Sequence, residues 1–253
     1  MSTDLRTILD RVASGDISPE EGQRLLAASS PAAQAPSLDE PVHRVSLRFT
    51  GVRLTVLADP GVATAIADGP HRVGREGDLL VITSDLAAGD YSAEGPWSAF
   101  RTWVDSGFRP GERVSVRVNP QLPLDVQLTA GSLSLSGMRA PVSVTADAAA
   151  ARLQDGRGPL RLSATTGSAD VAWQFTGDST IAVDLGSGAV RLLPGSDAAV
   201  TVSASVGAAS VNGPDGSRGS TPAGGNIAPF TVGEGRGTLS VTAHLGSVDV
   251  TVA

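Results

Sequence analysis

The stretch LTAGSLSLSG, residues 128–137, decides the fold, because two short runs of alternating apolar and polar residues flank a break at Gly131 and Ser132. Alternation with a period of two predicts a half-buried β-strand, and glycine at the break suits a tight corner. Close variants return along the chain as LSATTGSADV, IAVDLGSGAV, VSASVGAASV and VTAHLGSVDV. The sequence therefore repeats a unit of strand, corner and strand.

Alignment of the repeats on this corner gives regular columns. The corner residues are Gly131, Ala149, Gly167, Gly186, Gly207 and Gly246. They are separated by 18, 18, 19, 21 and 39 residues, and the last step corresponds to about two periods. Five places before the corner each repeat carries a large aliphatic residue, namely Val126, Val144, Leu162, Ile181, Val202 and Val241. The columns three places before and four places after the corner are also apolar.

One repeat cannot cover its own apolar face, whereas stacked repeats place like residues over like. The columns therefore predict a mainly β fold, a β-solenoid of stacked coils. The alternative is a β-sandwich, in which each corner is a hairpin turn and neighbouring strands run antiparallel.

The sequence divides into three parts. Residues 1–28 are predicted to form a small helical hairpin, in which Leu25 and Leu26 of the second helix close against the first. Proline, serine and alanine dominate residues 29–41, which predicts a flexible linker. Residues 42–253 form the predicted β-strand-repeat domain, interrupted by an aromatic-rich insert at residues 89–113.

Composition excludes several classes of function. The net charge of −7 argues against nucleic-acid binding. There is no cysteine, which excludes disulfides and thiolate metal sites. The first residues, MSTDLRTILDRV, lack the cationic and apolar regions of a secretory signal, so we expect the protein in the cytoplasm.

The polar residues of the repeats predict no catalytic, cofactor or metal site. His244 lies two places before its corner, in a polar column that we expect to face outward. The other members of this column are Thr129, Asp147, Thr165, Asp184 and Ser205. Asp147 and Asp184 are expected about 10 Å apart across the Thr165 repeat, and Asp170 and Asp249, three places after their corners, several repeats apart. No metal-binding histidine spacing and no nucleophile-elbow motif is present.

The aromatic-rich insert is the main departure from the repeat pattern. Several of its aromatic residues are three or four positions apart, which would put their rings along one side of a helical turn. This arrangement suits either an end cap of the solenoid or a partner-binding surface. The candidate partner-binding residues, including the two leucines of the hairpin, are Tyr91, Trp97, Phe100, Arg101, Trp103, Phe108, Arg109, Leu25 and Leu26.

The glycine-punctuated repeats of residues 42–253 resemble the putative-adhesin β-strand-repeat family of bacterial proteins, whose function is unknown. The stretch ILDRVASGDISPEEGQRLL is similar to the SHOCT-like two-helix segment that precedes this repeat in some members. The resemblance implies a β-helical scaffold without established catalysis, linked to envelope stress responses, and it supplies no site residues.

Together these patterns predict a non-enzymatic interaction scaffold with a protein partner or a second copy of the chain. One alternative is a carbohydrate-active β-helix enzyme, which would need clustered carboxylates and aromatic sugar platforms on one face. The other alternative is peripheral membrane association through the hairpin or the insert.

Overall fold

The computed structural model describes residues 41–84, 112–213, 218–221 and 224–253. The chain divides into two units, Met1–Pro41 and Val42–Ala253. All of the described residues except Pro41 belong to the second unit. The predicted helical hairpin of residues 1–28, almost all of the linker, and residues 89–111 of the aromatic insert lie outside the described residues.

The described chain is mainly β and forms one sheet of fifteen strands. The strands are β1 (Arg44–Ala58), β2 (Ala65–Asp68), β3 (Arg72–Glu76), β4 (Leu79–Thr83), β5 (Arg113–Val118), β6 (Leu124–Ser136), β7 (Val142–Arg157), β8 (Leu160–Gln174), β9 (Ser179–Leu192), β10 (Ala198–Ala204), β11 (Ala208–Asn212), β12 (Arg218–Thr221), β13 (Asn226–Val232), β14 (Gly237–Ala243) and β15 (Ser247–Val252).

Most strands belong to rungs, each of which consists of two half-strands joined at the predicted corner. In β6 the residues Leu124, Val126 and Leu128 are buried, and beyond the corner Leu133 and Leu135 are buried instead. The alternation thus changes phase at the corner. Because both halves bury their side chains in one core cluster, each rung bends at this point. Strands β1, β6, β7, β8 and β9 are complete rungs, and the pairs β4–β5, β10–β11 and β14–β15 each make up one rung.

From β6 to β9, consecutive rungs pair in parallel and in the predicted register. Gly131 lies opposite Ala149, Ala149 opposite Gly167, and Gly167 opposite Gly186. The aliphatic column five places before the corner is buried in every repeat. The predicted columns are therefore confirmed.

The spatial order of the rungs departs from their order in the sequence at both ends. The rung β4–β5 lies outside β1, which also pairs with β6. At the other end, β14–β15 lies between β9 and β10–β11. The first and last rung-forming strands in the sequence are consequently internal, with a parallel neighbour on each side.

Antiparallel strands cover the two outer rungs. Strands β3 and β2 pair with β4 and β5, and β13 and β12 pair with β10 and β11. The Gly-rich stretch 212–237, where the repeat is interrupted, thus contributes β12 and β13 rather than a rung. Pairing of β13 shifts at a bulge that contains Pro229, and β3 carries Arg72, Arg75 and Glu76. A bulge, a proline and charges all hinder further strands from pairing at an edge.

Most corners hold glycine because successive backbones stack closely there. Gly167 has φ of +130°, and a Cβ on it would overlap the carbonyl oxygen of Ala149 in the preceding rung. The residue before the corner is left-handed in both β6 and β7, where Ala130 and Ala148 have φ of 60° and 50°. In β7 the corner position itself holds Ala149, whose methyl group is buried.

Trp173, the largest buried side chain of the described residues, needs a glycine outside the corner in order to pack. Its indole Nε1 donates a hydrogen bond to the Gly158 carbonyl oxygen over 2.9 Å. Its ring packs where a Cβ of Gly156 would lie, beside the register shift between Leu153 and Gly156. Gly156 therefore makes room for the ring within the core.

We predict that Gly156→Ala lowers the free energy of unfolding by roughly 1–3 kcal/mol, as overpacking of a core does. Gly74→Ala is the matched control, because a Cβ at Gly74 meets nothing within 4 Å, and it should change stability by no more than about 0.5 kcal/mol. Urea unfolding followed by tryptophan fluorescence measures both. Equal effects of the two substitutions would contradict this account of Trp173.

Candidate functional site

The polar column two places before the corner faces outward, as predicted, and its members interact from rung to rung. The Thr165 hydroxyl donates a hydrogen bond to Asp147 Oδ1 over 2.6 Å. Thr165 and the next member, Asp184, occupy the same position in adjacent rungs. Asp147 and Asp184 are thus two rungs apart, as the sequence predicted.

Insertion of the last rung brings three members of the column together. Because β14–β15 lies between β9 and β10–β11, His244 falls between Asp184 and Ser205. Its Nε2 lies 3.7 Å from Asp184 Oδ1, and its Nδ1 lies 3.4 Å from Ser205 Oγ. The pair with Asp184 becomes an ion pair when the imidazole is protonated.

These three residue types also form nucleophilic triads, in which a nucleophile and its base lie about 2.6–3.2 Å apart and often farther apart without substrate. Both distances at His244 are longer than 3.2 Å. The backbone N–H groups of Val206 and Gly207 both donate to the His244 carbonyl oxygen, so they are not free to bind an oxyanion. The polar row Asp184–His244–Ser205 thus presents exposed hydrogen-bonding groups at the corner edge.

An apolar ridge runs beside this polar row, one place nearer the corner. It consists of Leu185, Leu245 and Val206, whose exposed fractions are 49%, 60% and 63%. The same position holds Ala130, Ala148 and Thr166 in the earlier rungs. Among the described corners, large side chains therefore occupy this position only in the three rungs that the insertion brings together. We call the ridge and the polar row together the corner-edge surface.

The aspartates that lie three places after their corners do not converge. Asp170 and Asp249 are separated by the rung of Ala189, closer than the sequence predicted because the last rung is inserted there. Arg152 Nε lies 3.4 Å from Asp170 Oδ2, and the Ser210 hydroxyl donates to Asp249. Within the described stretches there is no group of three or more histidine, aspartate or glutamate residues that could hold a metal ion.

An open cleft of about 290 Å³ lies beside the beginning of β14. The side chains of Arg157, Asp197 and Arg236 line it. Arg236 donates to Asp197 twice, from its backbone N–H to Oδ1 over 3.0 Å and from Nε to Oδ2 over 2.6 Å. Its Nε also lies 3.3 Å from Glu234 Oε2.

The Arg236 contacts keep Asp197 ionised. Hydrogen bonding from the Arg236 backbone N–H, reinforced by its guanidinium, holds the pKa of Asp197 below its ordinary value of 3.8. The Asp197 carboxylate therefore stabilises the fold above pH 3.8, and this contribution is lost as the pH falls through the lowered pKa.

The partner-binding residues predicted from sequence lie outside the described residues, both the seven in the aromatic insert and the two leucines of the hairpin. In the sequence the insert lies between β4 and β5, which together make up an outer rung. It therefore stands where the other rungs have their corner residues. None of the described segments contains a helix long and apolar enough to cross a membrane.

We predict that His244→Ala changes the free energy of unfolding by less than about 1 kcal/mol, because exposed ion pairs contribute little. Its side chain is 52% exposed, and that of Asp184 is 42% exposed. Thermal or urea unfolding of the variant beside the unmodified protein measures the difference. A larger loss would show that the polar row is structural and not available for binding.

No protein-family model matches the chain, and no curated protein matches its sequence. Among solved structures, the chain is similar to a "putative cell adhesion protein" from Clostridium sporogenes, determined by crystallography at 1.95 Å. The two sequences are 14% identical, the alignment covers 84% of this chain and 94% of that one, and the TM-score is 0.38.

Proposed function

We propose that this protein is a non-enzymatic interaction scaffold, in which a β-solenoid presents the corner-edge surface to a protein partner. The observation that carries the proposal is the exposed ridge of Leu185, Leu245 and Val206. Single exposed apolar residues are common on protein surfaces, whereas aligned ones mark interaction sites.

The rung architecture supports the solenoid. From β6 to β9, each repeat pairs in parallel with the next repeat at a step of one period, through connections of a few residues. A sandwich built from hairpins would pair neighbouring repeats antiparallel. Among the described strands, each antiparallel pair instead joins a covering strand, β2, β3, β12 or β13, to a strand of an outer rung.

A disulfide between adjacent rungs tests the solenoid. Ser168 and Ser187 are exposed and lie opposite each other in β8 and β9. Cα atoms of neighbouring strands are about 4.8 Å apart, within the range that a disulfide spans. The double variant S168C/S187C of this cysteine-free chain should therefore form an intramolecular disulfide on mild oxidation, detected as a shift in gel mobility. Failure to oxidise in the folded protein would contradict the parallel register.

The geometry of the ridge supports binding of a protein. Adjacent rungs are about 4.8 Å apart, so the three side chains span about 10 Å. A partner can bury this apolar ridge while its polar groups pair with Asp184, His244 and Ser205 in the row alongside. Apolar contacts bordered by hydrogen-bonding groups are the usual composition of a protein interface.

The enzymatic alternative has less support from the described residues. The hydrolysis of glycosides uses two carboxyl groups about 5–10 Å apart on either side of the bond. Asp170 is paired with Arg152, and Asp249 accepts a hydrogen bond from Ser210. Asp147 likewise accepts from Thr165. These carboxylates are engaged in contacts that stabilise the outer faces, which favours a scaffold.

Site-specific photo-crosslinking tests the proposed surface. We expect a photoreactive residue at Leu245 of the full-length protein to capture a partner in native cells, and the L185S/L245S variant to lose that partner. The matched control places the probe at Leu57, with the variant L57S/I66S, because these residues are comparably exposed elsewhere. Circular dichroism checks that both variants remain folded.

The candidates in the undescribed segments provide the contrasting outcomes. Loss of the partner only in W97A/W103A would assign binding to the aromatic insert, and loss only on removal of residues 1–41 would assign it to the predicted hairpin. Equal capture from positions 245 and 57 would contradict the corner-edge surface. Fractionation of the same cells tests the proposed cytoplasmic location.

A further inference from the structure

The segment Gly237–Val252 fills a space between two rungs that precede it in the sequence. Strand β14 pairs in parallel with β9 on one side and β10 on the other. Strand β15 pairs in parallel with β9 and β11. If the segment leaves, β9 and β10–β11 face each other across a slot one rung wide, with unpaired peptide groups on both sides.

The segment fits the slot closely. Its five inward side chains, Leu239, Val241, Ala243, Val248 and Val250, are each 1% exposed or less. They continue columns to which the flanking rungs contribute. Val241, for example, lies between Ile181 and Val202. Any strand pair that occupies the slot must reproduce this pattern and both parallel registers.

Short polar contacts fasten the beginning of the segment to both flanking rungs. Asp178, just before β9, accepts hydrogen bonds at Oδ1 from the Thr238 N–H over 3.1 Å and hydroxyl over 2.8 Å. Asp197, just before β10, accepts the two bonds from Arg236. The connection from β13 is short and contains Gly233 and Gly235, with φ of 68° and 71°. The segment is thus a discrete element with a glycine-containing hinge and an aspartate latch at its base.

We propose that this segment is exchanged between copies of the chain, so that Gly237–Val252 of one copy fills the slot of a second copy. Insertion of a strand into an open sheet position is an established mode of protein association, and exchange of identical elements requires no new interface. Every contact within the slot is made again in the exchanged pair. The closed and exchanged forms therefore differ mainly in the hinge and in the protein concentration that favours each. This exchange does not depend on partner binding at the corner-edge surface.

A crosslink between two full-length chains reports the exchange. Ser187 of β9 and Ser247 of β15 are exposed and lie opposite each other. One chain carries S187C and the other S247C, with tags of different size. The two are unfolded together in urea, refolded at high concentration and oxidised. We expect a disulfide-linked heterodimer, because in an exchanged pair the new thiol in β15 of one chain lies beside the new thiol in β9 of the other.

The control uses the same chemistry at a junction that does not exchange. Chains carrying S168C and S187C separately have cysteines in β8 and β9, and both rungs stay within one body when the last segment exchanges. This mixture should give only background heterodimer. Heterodimer from S187C and S247C several-fold above that background supports the exchange, and an equal amount overturns it. The S187C/S247C double variant separates this outcome from a wrong register, since its two thiols lie beside each other in both forms. They form an intramolecular disulfide in the closed form and an intermolecular one in the exchanged pair, so a correct register gives a disulfide in either case.

The latch provides a second test. Asp197→Asn removes the ionised acceptor of Arg236 and leaves the inward columns unchanged. The charged groups that line the cleft with Asp197 are Arg157 and Arg236, and Glu234 lies beside Arg236. We expect the variant to form heterodimer faster than the unmodified sequence when folded S187C and S247C chains are mixed at neutral pH. A rate equal to that of the unmodified sequence would show that Asp197 does not hold the segment closed.

Discussion

In-register parallel stacking is the constraint on which the rest of the structure depends. Neighbouring rungs are separated by about 4.8 Å, so a side chain at one position lies directly over its counterpart in the next rung. Inward columns therefore require residues of similar size, such as Val144, Leu162 and Ile181. At the corner the stacked atoms are backbone, and a Cβ of Gly186 would overlap the carbonyl oxygen of Gly167. The same repetition that builds the core thus favours glycine at most corners, while β7 has Ala149 there and β1 has Val52. It also places one residue per rung along the corner edge.

A stack of parallel rungs ends in open edges, and the chain covers both of them. The covering strands run antiparallel to the outer rungs, whereas a further rung of the repeat would pair in parallel. Pro229 within the bulge of β13 and the charges of β3 disfavour further pairing at these edges. Growth of the sheet from its ends is hindered on both sides. The faces and the corner edge are consequently the surfaces left for recognition, and large apolar side chains occupy the corner edge in only three of the described rungs.

Much of the fold could be predicted from the sequence because size and spacing are local properties. The pairing of Gly131 with Ala149, and of Gly167 with Gly186, follows from counting residues. The order of the rungs could not be predicted, because every rung offers the same columns to every other rung. The step of 39 residues before Gly246 indicated an interruption but not an insertion between earlier rungs. Asp184, His244 and Ser205 were assigned to one column from sequence, and only the insertion makes them neighbours. The left-handed conformation of Ala130 and Ala148 could not be predicted, because a residue with a Cβ rarely adopts positive φ.

The inserted rung connects the two proposals. Leu245 and His244 belong to the segment that fills the slot, whereas Leu185 and Asp184 belong to β9, and Val206 and Ser205 connect β10 to β11. The corner-edge surface therefore exists only while the slot is filled, whichever copy supplies the segment. In an exchanged pair each surface would be a hybrid, with its central residues from one chain and its flanking residues from the other. A partner that binds this surface would contact both chains in the exchanged form and one chain in the closed form. Its preference between the two forms would depend on the hinge, because the surface itself is the same in both.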